Sequence, residues 1–325
     1  MLHCRYLCDL VEHIIKSSMF SEKGIVDMTP MQGSTSFGPN AEVYFSIDLC
    51  GSHRDENFRD LYGQTTEVFK RVFQLEDFDL LFLPGGGTLG IEAIMASAIN
   101  PIDVVGCDGV FKDRWTQMAS LYNSRKCGPS INLSCQVETS VSKFQDLEAP
   151  ILGVVSSFPY HSIPDTCDVF VLASNKQLNS LAGLAIVGVR KGKFKEYFRD
   201  SELSYLSLDR YFESAAHDEM PSTVGTYLFD VLKTSLLSFN LASHRKRIDL
   251  VCELLVGYFG ESMIVGDLKG PVLTIRREAI PEKIAKAWSL YEKSQPVPSY
   301  QIFTYSTQLE NYVTFLDVVK TEMTK

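Results

Sequence analysis

Two apolar runs limit this chain more than any other feature: Val169–Ala173 and residues 184–189. Neither alternates apolar with polar residues. Each therefore reads as a strand covered on both faces, the situation of a sheet inside an α/β domain. The loop between them begins S-N-K-Q-L-N-S, which holds Lys176 just past the carboxyl end of the first run. Open α/β sheets take their ligands at that edge. Most lysines are simply solvated, so Lys176 acquires meaning only from what else reaches the same edge.

The rest of the chain supplies the sheet. Strand-like runs at 43–49, 80–83, 104–107, 131–137 and 151–155 precede the two above, and helical patterns at 58–73, 88–98 and 111–122 alternate with them. This β–α order predicts a mostly parallel, seven-stranded sheet with helices on both faces. One link is short. Only residues 139–150 separate Glu138 from the run at Ile151, with Pro150 directly before it. A helical crossover takes about a dozen residues at least, so this connection is minimal or non-helical. From about Gly225 the pattern changes to helices at 227–239, 244–259, 281–293 and 308–323 around strands at 272–275 and 300–305. The expected division is an N-terminal helical extension (1–28), a large α/β domain (29–224) and a smaller C-terminal α+β domain (225–325). In the extension, Leu7, Leu10, Val11, Ile14 and Ile15 recur at helical spacing among charges, which reads as an amphipathic helix and not a signal peptide.

A net charge of −9 gives no support to nucleic-acid binding. The eight cysteines form no C-x-x-C pair, and no apolar stretch reaches the length of a membrane span. Together these point to reduced thiols in a cytoplasmic protein without a metal framework.

Chemistry collects at the predicted strand ends. After 80–83 comes P-G-G-G-T-L-G-I-E-A, where glycines and a helix N-terminus make an anion site suited to phosphate. A tight strand-to-helix turn explains the same residues equally well. The spacing is neither a Walker loop nor G-x-G-x-x-G, which disfavours a nucleoside triphosphate or a dinucleotide. Asp108-Gly109 starts a helix bearing Phe111, which either stacks on a planar ring or belongs to the core. Glu138, Thr139 and Ser140 bring hydroxyls to the rim, as ordinary turns also do. A phosphate cradle, an aromatic, hydroxyls and one lysine together suit pyridoxal phosphate, whose aldehyde reacts with a lysine.

In this order the motifs resemble the class V aminotransferases of the fold-type-I pyridoxal-phosphate enzymes, nearest the 2-aminoethylphosphonate–pyruvate and alanine–glyoxylate branch. G-G-G-T-L-G-I-E-A resembles the family's phosphate loop, which implies Gly86, Gly87 and Thr88 at the phosphate. D-G-V-F-K-D-R implies Phe111 stacked on the pyridine ring, and V-E-T-S implies Thr139 near the ring hydroxyl. S-N-K-Q-L-N-S-L-A-G-L-A implies Lys176 as the Schiff-base lysine, with Asn175 beside it in the cofactor site. M-P-S-T-V-G-T-Y-L-F resembles a segment that crosses to the neighbouring subunit, which implies Thr223 at a phosphate and a homodimer with shared sites.

Two departures accompany the resemblance. L-G-V-V-S-S-F-P places Gly153 where the family has the aspartate that faces the pyridine nitrogen, and Asp168 matches a different family aspartate. The segment V-P-S-Y-Q-I-F-T-Y-S also lacks the arginine that clamps a substrate carboxylate in relatives, and neither Arg276 nor Arg277 is tied to the pocket by sequence. The resemblance implies an aminotransferase acting on an unusual amine and a carbonyl acceptor. A decarboxylase or other lyase on the same scaffold, and a cofactor-binding protein that has lost catalysis, are the alternatives.

Overall fold

The structure is a computed structural model that describes residues 51–200, 204–294 and 296–324. The expected N-terminal helix and the strand at 43–49, the seventh of the sheet, lie outside the described residues.

Helix α1 (Glu56–Phe73) buries Phe58, Tyr62, Thr65, Phe69 and Phe73, a stripe three to four residues apart. Strand β1 (Phe78–Pro84) and helix α2 (Gly87–Ser97) follow, then β2 (Ile102–Val105), α3 (Val110–Asn123) and β3 (Ile131–Cys135). A hairpin of β4 (Val137–Glu138) and β5 (Lys143–Phe144) leads to β6 (Ile151–Gly153), β7 (Val169–Ala173) and β8 (Leu184–Arg190), and the short helices α4 (Phe194–Tyr197) and α5 (Leu208–Ala215) follow. The main sheet has six strands among the described residues, in the order β1-β8-β7-β6-β3-β2. Strand β8 runs antiparallel to both of its neighbours, and the remaining pairs are parallel. All strands except β8 therefore end at one edge.

The two faces are filled differently. Phe82 and Phe170 lie on the face covered by α1 and by α6 (Tyr227–Leu237), where Phe229 packs 5.0 Å from Phe82 and 5.1 Å from Phe58. On the opposite face Val171, Ala185 and Val187 lie under α2, so close to Gly90 that a Cβ there would sit 2.7 Å from Val171 Cγ1. Helix α6 adds its buried face to the large core, and the second core begins only at Ile248.

The short link before β6 is non-helical, one of the two forms its length allows. Its hairpin is held by the smaller domain: Phe144 N donates to Asp267 Oδ2 at 2.7 Å, and Asp267 N to Ser142 O at 2.8 Å. Gly266 has φ +87°, and a Cβ there would overlap the Val141 carbonyl oxygen, so a glycine is needed where these backbones meet.

The smaller domain is a four-stranded antiparallel sheet, β11-β12-β10-β9, formed by β9 (Ile264–Val265), β10 (Val272–Arg276), β11 (Tyr291–Lys293) and β12 (Ser299–Phe303). Helices α7 (Leu241–Phe259) and α9 (Leu309–Met323) cover its apolar face. The helix expected over 281–293 is only α8 (Glu282–Ala287); Ser289 then turns at φ +50° and the chain re-enters as edge strand β11. Tyr291 and the prolines after Lys293 were the local signal for that hairpin. No described helix is long and apolar enough to cross a membrane.

Candidate functional site

The shared strand edge gathers the sequence candidates. Gly86, Gly87 and Thr88 follow β1, Phe111 lies in the first turn of α3 after β2, Thr139 follows β4, and Asn175 and Lys176 follow β7. Gly87 is the first residue of α2, and the N–H groups of Gly87 and Thr88 have no acceptor among the described residues. A Cβ on Gly87 would lie 2.6 Å from Val155 Cγ2, so this helix start rests on the chain just beyond β6. Thr88 is exposed, which leaves its hydroxyl free for a ligand.

Lys176 is the group set apart by its surroundings. Its amine lies 5.3 Å from the centre of the Phe303 ring and has no carboxylate partner among the described residues. Burial, reinforced by the charge of Lys293, lowers its pKa below the ordinary lysine value. A larger fraction of the amine is therefore neutral, and nucleophilic, near neutral pH.

Glu138 builds the adjoining wall. Fully buried, it accepts from Phe111 N at 3.0 Å, Lys112 N at 3.3 Å, Ser140 N at 3.1 Å and Ser140 Oγ at 2.6 Å. It thus caps α3 from a neighbouring strand end and fixes the turn that carries Phe111. A Cβ on Gly109 would overlap the Glu138 side chain, which explains the glycine of Asp108-Gly109. Lys112 pairs with Asp108 at 2.8 Å as a helix-start residue. Thr139 is buried, and its carbonyl accepts from Gln301 Nε2 and, at 3.4 Å, from Thr274 Oγ1. The polar face of the small sheet therefore closes on this rim.

Other candidates fall elsewhere. Asp168 lies at the start of β7, on the opposite edge, bound to Arg190 at 3.2 Å and Tyr197 Oη at 2.7 Å. Arg276 Nε donates to Ser262 O at 3.1 Å, and Arg277 pairs with Glu292 at 2.7 Å. Both arginines are thus engaged by partners within the smaller domain. Thr223 is exposed, in the loop before α6.

Sequence reasoning missed three participants. Lys293, read as the end of a helix, lies on β11 opposite Ser299. Phe303 was visible only as a strand residue. Trp115, one turn after Phe111 with ring centres 6.0 Å apart, packs against Gly153. A fourth contact supports the lysine loop: Gln177 accepts from Tyr160 N at 3.2 Å, donates to Ser156 O at 2.7 Å and meets His244 Nε2 at 2.9 Å.

Burial pushes the pKa of His244 down from 6.5 to about 3. A depressed folded-state value means that the unfolded chain binds the proton first as pH falls. The associated stability is complete above the unfolded value and is lost below it, at up to about 1.4 kcal/mol per pH unit. Urea midpoints measured from pH 7 to pH 5 are expected to fall more steeply for the parent than for His244→Gln. Equal slopes would rule out the buried neutral imidazole.

The architecture is the fold of the fold-type-I aminotransferases. No family model matches the sequence. Among solved structures, the chain is similar to phosphoserine aminotransferase from Cytophaga hutchinsonii (TM-score 0.71, 16% identity, 84% of this chain and 91% of that one). It is similar to alanine–glyoxylate aminotransferase from Nostoc sp. (0.70, 16%, 94% and 99%) and to pyridoxamine–pyruvate aminotransferase from Mesorhizobium loti (0.71, 16%, 94% and 95%). A curated protein, the small subunit of a soluble hydrogenase from Synechococcus sp., is 28% identical over 228 residues, covering 57% of this chain. The chain spans 59% of the length of that relative.

Proposed function

We propose that the chain is a pyridoxal-phosphate-dependent aminotransferase with Lys176 as the residue that bonds the cofactor. The single observation that carries this is the half-buried amine of Lys176 at the strand edge, without a carboxylate partner among the described residues. The residues suit the group in two respects. The unmatched N–H groups of Gly87 and Thr88, next to Gly86, meet the needs of a phosphate. Lys176 meets those of an aldehyde, with loss of one water on condensation. Phe111 is held by Glu138 where it can stack on a ring, with Thr139 and Asn175 at its margins. When bound, the cofactor supplies an electron sink for bond breaking next to the amine nitrogen.

Released by an incoming amine, Lys176 is placed to take and return a proton as general base. Lys293 is the cation nearest this amine in electrostatic effect, and it offers an anionic substrate group a point charge, not a bidentate clamp. That favours an unusual amine donor with a small carbonyl acceptor. The solved neighbours, named for phosphoserine, alanine–glyoxylate and pyridoxamine–pyruvate transfer, support amino-group exchange over decarboxylation. A homodimer with Thr223 reaching the partner's phosphate, a cytoplasmic location and a division into a large and a smaller C-terminal domain complete the reading.

A second reading, cofactor binding without turnover, is favoured by the apolar surroundings of Gly153. Borohydride reduction after incubation with pyridoxal phosphate is expected to leave one pyridoxyl group on Lys176 by peptide mass. Amino transfer from a panel of primary amines, aminophosphonates and amino acids is expected in the same preparation. A label without transfer to any acceptor would favour the second reading, and no label would remove both.

A further inference from the structure

The strand edge leaves one position with chemistry of its own, the end of β6. Gly153 is the last residue of that strand and pairs with Cys135 of β3 on one side and Val171 of β7 on the other. It therefore lies between the strand leading to Lys176 and the strand leading to Thr139. Val155, two residues on, touches the start of α2 at Gly87. In pyridoxal phosphate the aldehyde carbon is para to the ring nitrogen, and the phosphate arm is adjacent to the aldehyde. With the aldehyde at Lys176 after β7 and the phosphate at Gly87 and Thr88 after β1, the nitrogen would face away from the lysine, on the side of β6, the other neighbour of β7.

What stands there is carbon. A Cβ on Gly153 would overlap Trp115 Cη2 and lie 3.0 Å from Cζ3 and 3.2 Å from Cζ2, the benzo edge of the indole. Trp115 is buried, so its ring fills the space that a side chain at 153 would take. The nearby carboxylate, Glu138, is already engaged by four donors. Asp168 is at the other edge of the sheet. A protonated ring nitrogen would bring a charge against this surface with no free carboxylate to balance it, which is costly where water is excluded.

We infer that the site takes its cofactor with the ring nitrogen uncharged, against the benzo edge of Trp115 and not a carboxylate. The inference rests on the cofactor reading above. The pair Gly153 and Trp115 acts as a unit: an aspartate at 153 requires removal of the indole, and removal of the indole alone leaves a cavity.

The test compares pyridoxal phosphate with its 1-deaza analogue, in which CH replaces the ring nitrogen, by competitive binding to the full chain followed by borohydride labelling. The parent is expected to bind the two within about threefold of each other. The double variant Gly153→Asp/Trp115→Ala is expected to prefer pyridoxal phosphate by about tenfold or more. Labelling of Lys176 together with a parent preference of that size for pyridoxal phosphate would overturn this inference alone. No labelling by either compound would overturn the cofactor reading and this inference with it. The parent ratio decides the matter even where the double variant does not fold.

Discussion

Lys176→Ala is expected to lose the covalent pyridoxyl label completely and to slow amino transfer by about 10²–10⁴-fold, the usual contribution of a positioned acid–base group. The effect should be large because no described neighbour can substitute. The amine is held over Phe303, and the next lysine, Lys293, belongs to the small sheet. Peptide mass after reduction and single-turnover rates measure the two losses separately. A variant that keeps the label, or that transfers at the parent rate, would show that another group does this work. Lys293→Gln offers a milder companion. The charge of Lys293 helps to lower the pKa of Lys176, so its removal should raise that value toward the ordinary one. Less of the amine is then neutral near pH 7, and the pH profile of label formation should move to higher pH. An unmoved profile would leave burial as the sole cause.

The sequence made the sheet legible because its strands are buried on both faces. Val169–Ala173 is a strand over the very residues expected, and Lys176 follows it at the carboxyl edge. Glycine positions told of close approach, but not of what approaches. Gly153 could be read as an absent aspartate; that an indole from α3 fills the space depends on how that helix packs across β6. Lys293 was hidden for a different reason. An apolar spacing of three and four extends from Ile284 through Trp288 to Tyr291, yet the helix ends at Ala287 and the edge strand pairs with β12. Local periodicity cannot rank a marginal final turn against three residues of strand pairing. The smaller domain's grip on the β4–β5 hairpin was likewise invisible, because Asp267 and Ser142 are far apart in the chain.

That hairpin carries the second large effect, expected at Glu138. In Glu138→Ala the N–H groups of Phe111, Lys112 and Ser140 lose a buried carboxylate, and the Ser140 hydroxyl loses its short bond. Bonds to a charged acceptor contribute about 1.5–3 kcal/mol each, but desolvating that carboxylate offsets much of the sum. A net loss of about 3–4 kcal/mol is expected, comparable to breaking a buried network. Glu138→Gln keeps the shape and one carbonyl acceptor, so about 1–2 kcal/mol should be lost. Urea midpoints at pH 7.5 give both values. The two variants should also separate stability from site geometry. With the first turn of α3 unpinned, Phe111 would lose its fixed place beside the proposed cofactor site, and cofactor affinity should fall with stability in the alanine variant. The glutamine variant should keep most of the affinity. An alanine variant as stable as the parent would mean that α3 finds its cap elsewhere, and a stable variant with weakened cofactor binding would assign Glu138 to the ring itself.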